Sequence, residues 1–312
     1  GKNPWQSHGF ARARVILRFY DVMLQNRSAS LDLIPLETGK TRSDASDEFL
    51  DVLLTSRHYA RVAPTKLKRV KHRGVLPVLT AVSEIRHPKG VVGVISPWNY
   101  PLTLAVSDAI PALLAGNGIV LKPDSQTAFT ALWAVRLLRE AGIPEGLVQV
   151  VVGPGAQLGP LIVRNADYLM FTGSTAVGRD LAEQCGRHLI GCSMELGGKN
   201  AMLVLADADV DRAAEIAVRA CFSNAGQLCI SMERMYINEK VYDAFLEKFV
   251  ARVKAMRLRS GVGWGSDMGS LISQKQFDTV NEHVQDAVAK GATILAGGKA
   301  RGDDGFFFEP TV

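Results

Sequence analysis

Val91-Val92-Gly93-Val94-Ile95-Ser96-Pro97-Trp98-Asn99-Tyr100-Pro101 reads as a buried strand running into a turn. Four of its first five residues are apolar and three are β-branched valines. The Ser-Pro pair stops the run, and an apolar stretch at helical spacing follows over about 102–115. A short strand with no polar alternation is buried on both faces, as in a parallel sheet covered by helices. The same strand-then-helix unit repeats downstream. Strands are expected at 119–121, 147–152, 168–171 and 189–194, with helices over 127–141, from 156, and over 175–187. The fold class is therefore α/β, a doubly wound parallel sheet.

Outward from that core, apolar residues at helical spacing predict helices over 10–25 and 44–59, the second capped by Ser43 or Asp44. Residues 74–90 change character to short β-rich pieces around Pro77, which suits a hairpin leaving the main body and meeting another subunit. Beyond residue 199 a second α/β domain is expected. It has strands at 201–205 and 234–237, helices near 209–220 and at 241–256 and 274–289, and strands at 293–295 and 306–312. The divisions read 1–73, 74–90, 91–199 and 200–312.

Composition narrows the class. The 312 residues are 47% hydrophobic and 21% charged, enough for a sizeable core. The formal charge of +5 is thinly spread. Its one dense run, Lys66-Leu67-Lys68-Arg69-Val70-Lys71-His72-Arg73, lacks interleaved aromatic residues and suits a solvated loop or helix end better than a nucleic-acid patch. Four cysteines without a C-x-x-C pair suit a reducing compartment, the cytoplasm, and indicate neither a disulfide framework nor a metal site. No uninterrupted apolar run reaches the roughly 18 residues of a membrane span.

In open α/β sheets, ligands sit beyond the carboxyl ends of the strands. This singles out Asn99, Lys122, Gly173 and Glu195. Asn99 can face such a site or cap the helix after it. Gly173-Ser174-Thr175-Ala176-Val177-Gly178 enters a helix without a G-x-G-x-x-G fingerprint, and serves as a tight turn or a phosphate site. Glu195, among apolar and glycine residues, suits a general base. Cys229 in Ser223-Asn224-Ala225-Gly226-Gln227-Leu228-Cys229 is a nucleophile or a small buried apolar residue.

Taken together, Ile95-Ser96-Pro97-Trp98-Asn99-Tyr100-Pro101, Leu121-Lys122-Pro123, Phe171-Thr172-Gly173-Ser174, Glu195-Leu196-Gly197-Gly198-Lys199 and Asn224-x-Gly226-Gln227-x-Cys229 resemble the aldehyde dehydrogenase superfamily over about residues 10–312. The resemblance implies a Rossmann-like cofactor domain and a catalytic domain. It makes Cys229 the nucleophile that forms a thiohemiacetal and then a thioester. Asn99 with the Cys229 N–H becomes the oxyanion site, and Glu195 the base that activates water. It also implies cofactor contacts from Ile95, Ser96, Trp98, Lys122, Ser125, Gly173, Ser174, Gly178, Leu196 and Gly197, and a homodimer or homotetramer.

Ser125, three residues after the lysine, points to NADP. A hydroxyl there can donate to a 2′-phosphate, where a glutamate would repel it. Lys122-Pro123-Asp124-Ser125-Gln126-Thr127 looks most like members that act on succinic semialdehyde. The stretch after Asn99 departs from that pattern, since Ala105-Val106-Ser107-Asp108 offers no cation for a substrate carboxylate. The resemblance further implies chain beyond Val312, including a Glu-x-Phe-Gly-Pro segment, so a truncated chain is expected. Three readings stay open: aldehyde oxidation, nucleotide binding without turnover, and a thiol acyltransferase or esterase.

Overall fold

The computed structural model describes residues 5, 9–76, 78–302 and 305–312. Pro77 of the expected hairpin and most of the first eight residues lie outside them. The chain divides into two compact units, residues 1–28 with 48–196, and residues 29–47 with 197–312. Residues 29–47 thus group with 197–312.

In the first unit, helix α1 (Gly9–Gln25) buries Ala13, Ile16, Phe19, Val22 and Met23 along one face. Helix α2 (Arg27–Thr38) was not legible, because Pro35 sits inside it. Pro35 cannot donate to the Leu31 carbonyl one turn back. Arg42 supplies the missing donor, its Nη1 lying 3.3 Å from that oxygen. Helix α3 (Arg42–Lys66) runs further at both ends than expected. Its cap is Thr41, two or three residues before the expected Ser43 or Asp44: the Asp44 N–H donates to Thr41 Oγ1 at 3.1 Å.

The hairpin is displaced from its expected position. Its strands are β1 (Val70–Arg73) and β2 (Ala81–Glu84), antiparallel with Val70 opposite Glu84 and Arg73 opposite Ala81. Half of the basic run is therefore strand. Both strands are almost wholly exposed, so no buried face leaves an alternation to read. Between them Val75, Val78 and Leu79 stand 94%, 102% and 81% exposed.

The central sheet is parallel throughout. Its strands β3 (Val91–Ile95), β4 (Gly118–Lys122), β5 (Val148–Val150), β6 (Tyr168–Thr172) and β7 (Gly191–Glu195) lie in the order β5-β4-β3-β6-β7. From β3 the chain builds outward to β5, then crosses back to β6, so the switch point lies between β3 and β6. Strand β7 starts two residues later than expected. Leu189 instead ends the preceding helix in the left-handed region, with φ 55°.

The expected helix over 102–115 is two helices, α4 (Pro101–Val106) and α5 (Ala109–Leu114). Pro111 has no N–H for the Ser107 carbonyl and breaks the ladder there. Helices α4 and α6 (Ala128–Glu140) pack together, α1 packs on α5 and α6, and α5 on β4. Helices α7 (Gly155–Asn165) and α8 (Thr175–His188) bury Ile162, Val163, Leu181 and Cys185 against Ile95, Leu169 and Phe171. Gly93 makes this contact possible: a Cβ there would lie 2.4 Å from Ile162 Cγ2. No described helix is long and apolar enough to cross a membrane.

In the second unit, β8 (Asn200–Val204) and β9 (Met232–Ile237) form a parallel pair. Helices α9 (Val210–Phe222) and α10 (Tyr242–Lys254) close a core of Val204, Ala214, Ala217, Phe245, Phe249 and Val253. Phe249 stacks on both Phe222 and Phe245. Helix α11 (Gln274–Ala289) follows. The expected strands at 293–295 and 306–312 do not form. Gly297 and Gly298 take left-handed angles (φ 70° and 84°), which leaves scattered hydrogen bonds and a single bridge between Ala300 and Phe308.

Candidate active site

In the first unit, four neighbouring strands bring the expected residues to one edge of the sheet. Lys122 ends β4 and Glu195 ends β7, while Gly173 directly follows β6 and Asn99 lies four residues past β3. Asn99 does not cap the next helix, whose cap is Tyr100 with no side-chain hydrogen bond. Its Oδ1 accepts the Tyr100 N–H at 3.1 Å, so the amide nitrogen is the end that can donate to a ligand oxygen.

The cap comes instead from Glu48, a residue the sequence did not single out. Its Oε1 accepts the N–H groups of Leu102 at 2.6 Å and Thr103 at 3.1 Å. Glu48 is only 1% exposed, so this carboxylate takes the place of water at a buried helix end.

Glu195 is exposed, where the sequence suggested an embedded carboxylate. It closes the edge strand β7, and its backbone carbonyl accepts the Gly173 N–H at 3.0 Å. The perturbed acid is its neighbour. Asp108 is pushed up to about 6 by burial first, and then by the nearby charges of Glu195 and Asp51. Ser107 Oγ donates to Asp51 at 3.1 Å. This region holds the acids Asp51, Asp108 and Glu195.

Lys122 is 5% exposed and donates to the Pro123 carbonyl at 3.1 Å. Burial draws its pKa down, and the charge of Asp124 works against that. The Asp124 carboxylate accepts from the Gln126 N–H at 3.0 Å, which turns it into the short helical turn after the strand. Ser125 is exposed, with its hydroxyl 3.3 Å from the Gly153 carbonyl. Ser174 caps α8, accepting the Val177 N–H. Gly178 and Leu196 form a matched pair, since a Cβ at Gly178 would lie 2.4 Å from Leu196 Cδ2. Ile95 is buried and Trp98 partly buried.

Cys229 and Gly197 belong to the second unit. Cys229 is exposed, which removes the reading of a buried apolar thiol. It stands in a turn between α9 and β9. Asn200, another residue without a sequence signal, holds that turn: its Nδ2 donates to the carbonyls of Cys229 at 2.7 Å and Ser231 at 3.0 Å.

The aldehyde dehydrogenase family profile matches residues 2–312. The chain belongs to the aldehyde dehydrogenase family. A Mycolicibacterium smegmatis relative, provisionally named a succinate-semialdehyde dehydrogenase [NADP(+)], is 56% identical over 96% of this chain and 58% of its own length. A Pseudomonas putida glutarate-semialdehyde dehydrogenase is 38% identical over 96% of this chain and 62% of its own. The structure of a Bacillus cereus aldehyde dehydrogenase in complex with NAD+ matches with TM-score 0.94 and 32% identity, covering 99% of this chain and 63% of that one. The chain thus spans about three-fifths of the length of these relatives.

A nicotinamide coenzyme, which the aldehyde dehydrogenase family implies, fits the residues present. Ser96 directly follows β3 and Thr172 ends β6, the two strands that flank the switch point, and both hydroxyls are buried without a hydrogen-bond partner. Buried hydroxyls normally find partners, and a polar ligand in the crevice can supply them. Thr172 was legible only as the residue between Phe171 and Gly173.

Proposed function

We propose that this chain carries the coenzyme-binding and nucleophilic parts of an NADP-dependent dehydrogenase that oxidises a short aldehyde bearing a terminal carboxylate, such as succinic semialdehyde, to the acid. The observation that carries this reading is the convergence of Asn99, Lys122, Gly173 and Glu195 on the carboxyl edge of adjoining strands β3, β4, β6 and β7. The names of the semialdehyde-oxidising relatives support the substrate class.

In this reading the Cys229 thiolate attacks the aldehyde carbon, forming a C–S bond and placing negative charge on the oxygen. The Asn99 amide and the Cys229 N–H donate to that oxygen. A nicotinamide coenzyme, when bound, would supply the hydride acceptor that turns this adduct into a thioester. Glu195 then takes a proton from water, which attacks the resulting thioester; the C–S bond breaks and the thiolate returns. Lys122 and Ser125 would hold the ribose and its 2′-phosphate, and the first turn of α8 after Ser174 would receive the pyrophosphate.

The test is NADPH formation over a panel of aldehydes that includes succinic and glutaric semialdehyde, for this chain and for a carboxyl-terminally extended one. Cys229→Ala is expected to abolish it in whichever form is active. Glu195→Gln is expected to leave a single burst of NADPH without steady release of acid. Turnover that survives Cys229→Ala overturns the reading.

A further inference from the structure

We propose that Asp44 is a positioning residue for the turn that carries Cys229, its buried carboxylate gripping the backbone of Asn224. The proposal rests on reading Cys229 as the nucleophile. Asp44 lies in the first turn of α3, in the part of the chain that packs with the second unit, and is 6% exposed. The Thr41 hydroxyl donates to its Oδ2 at 2.7 Å, and the backbone N–H groups of Thr41 and Asn224 also donate to the carboxylate. Burial pushes the Asp44 carboxyl up from its ordinary value, and these hydrogen bonds and the charge of the fully buried Lys40 work against that. A helix cap would need only the Thr41 half of this arrangement.

The Asn224 half has a distinct purpose. Asn224 (φ 52°, ψ 37°) and Ala225 (φ 56°, ψ 33°) are consecutive left-handed residues, and neither is glycine. Ala225 costs about 1–2 kcal/mol relative to ordinary backbone and Asn224 less, so the turn persists only where its surroundings impose it. Asn224 Nδ2 donates to the Gln227 carbonyl at 3.2 Å, and Gln227 Nε2 returns a bond to the Asn224 carbonyl at 3.0 Å. Gln227 Oε1 in turn accepts the Ile272 N–H at 3.1 Å. These bonds tie the turn to itself and to the following loop. Asp44 anchors the residue at which the left-handed path begins, and Asn200 anchors the Cys229 end.

Two variants separate the roles. Thr41→Ala removes the hydroxyl that caps the helix and leaves the Asp44 grip on Asn224; Asp44→Ala keeps that capping bond, whose donor is the backbone N–H, and removes the grip. Hydrogen exchange read by mass spectrometry on the peptide spanning 223–231 is expected to quicken by roughly tenfold or more in Asp44→Ala, and to remain at the parent rate in Thr41→Ala. The rate of Cys229 alkylation by iodoacetamide at fixed pH is expected to change in Asp44→Ala and not in Thr41→Ala. Should Asp44→Ala fail to fold, Asp44→Ser replaces it, because its shorter side chain withdraws the acceptor from Asn224 while keeping a polar group beside Thr41. Equal exchange at 223–231 in the two variants, or no change in either, overturns the proposal. NADPH formation surviving Cys229→Ala would instead overturn the functional reading and leave the exchange result standing.

Discussion

Glu48 Oε1 lies 2.6 Å from the backbone nitrogen of Leu102, and through that bond a side chain 54 residues away caps the helix that follows Asn99. The carboxylate also takes the Thr103 N–H, and the Thr103 hydroxyl donates to the Glu48 carbonyl at 3.0 Å. Replacing Glu48 with Ala leaves two helix N–H groups without this acceptor. The expected cost is about 2–4 kcal/mol, read from the denaturant midpoint. Glu48→Gln, which keeps one acceptor oxygen, is expected to recover at least half of it.

Asp108 makes stability depend on pH. Its pKa rises from 3.8 to about 6 in the folded chain, so the fold favours the protonated form. A carboxyl raised in this way lowers stability progressively as pH climbs through that window, and the full penalty applies above it. Asp108→Asn removes the charge. The variant is expected to match the parent near pH 4 and exceed it by about 1–3 kcal/mol at pH 7. Thermal unfolding at both pH values checks this, and a gain confined to low pH would contradict it.

Gly178→Ala probes Leu196. The added methyl reaches the far end of the leucine side chain, which can rotate away at little cost. Alanine also improves helix propensity by about 1 kcal/mol. The melting temperature is therefore expected to change by only a few degrees, while coenzyme affinity, followed by fluorescence titration, falls through the displaced leucine.

Ser125→Glu tests the coenzyme preference. A carboxylate at that position repels a 2′-phosphate and can bond the ribose hydroxyls of NAD. The ratio of kcat/KM for NADP over NAD is expected to drop by roughly tenfold or more, equivalent to about 1.4 kcal/mol. An unchanged ratio removes Ser125 from the argument.

Much of the sheet was legible because β3, β4 and β6 are short and apolar on both faces, and such strands announce themselves without their neighbours. Residues at their carboxyl ends followed from the same reading, including Lys122 and Gly173. Other features depend on partners distant in sequence. Helix α2 tolerates Pro35 only because Arg42 satisfies the Leu31 carbonyl, a bond that no local pattern contains. Glu48 reads as an ordinary helical glutamate until Leu102 is beside it. Asn200 follows Lys199 at the start of β8, and nothing there foretells its grip on the Cys229 carbonyl. The break between α4 and α5 is different: Pro111 was in plain view, and the continuous apolar pattern outweighed it.

Ala225 stands where a glycine would sit without strain. Glycine would relax the turn, yet it would also open many more backbone states to the residues leading to Cys229. Alanine does the reverse, narrowing the paths available at the expense of comfort. The approach to the thiol is thus stiff by composition, and its accuracy is bought locally with a methyl group instead of with further contacts.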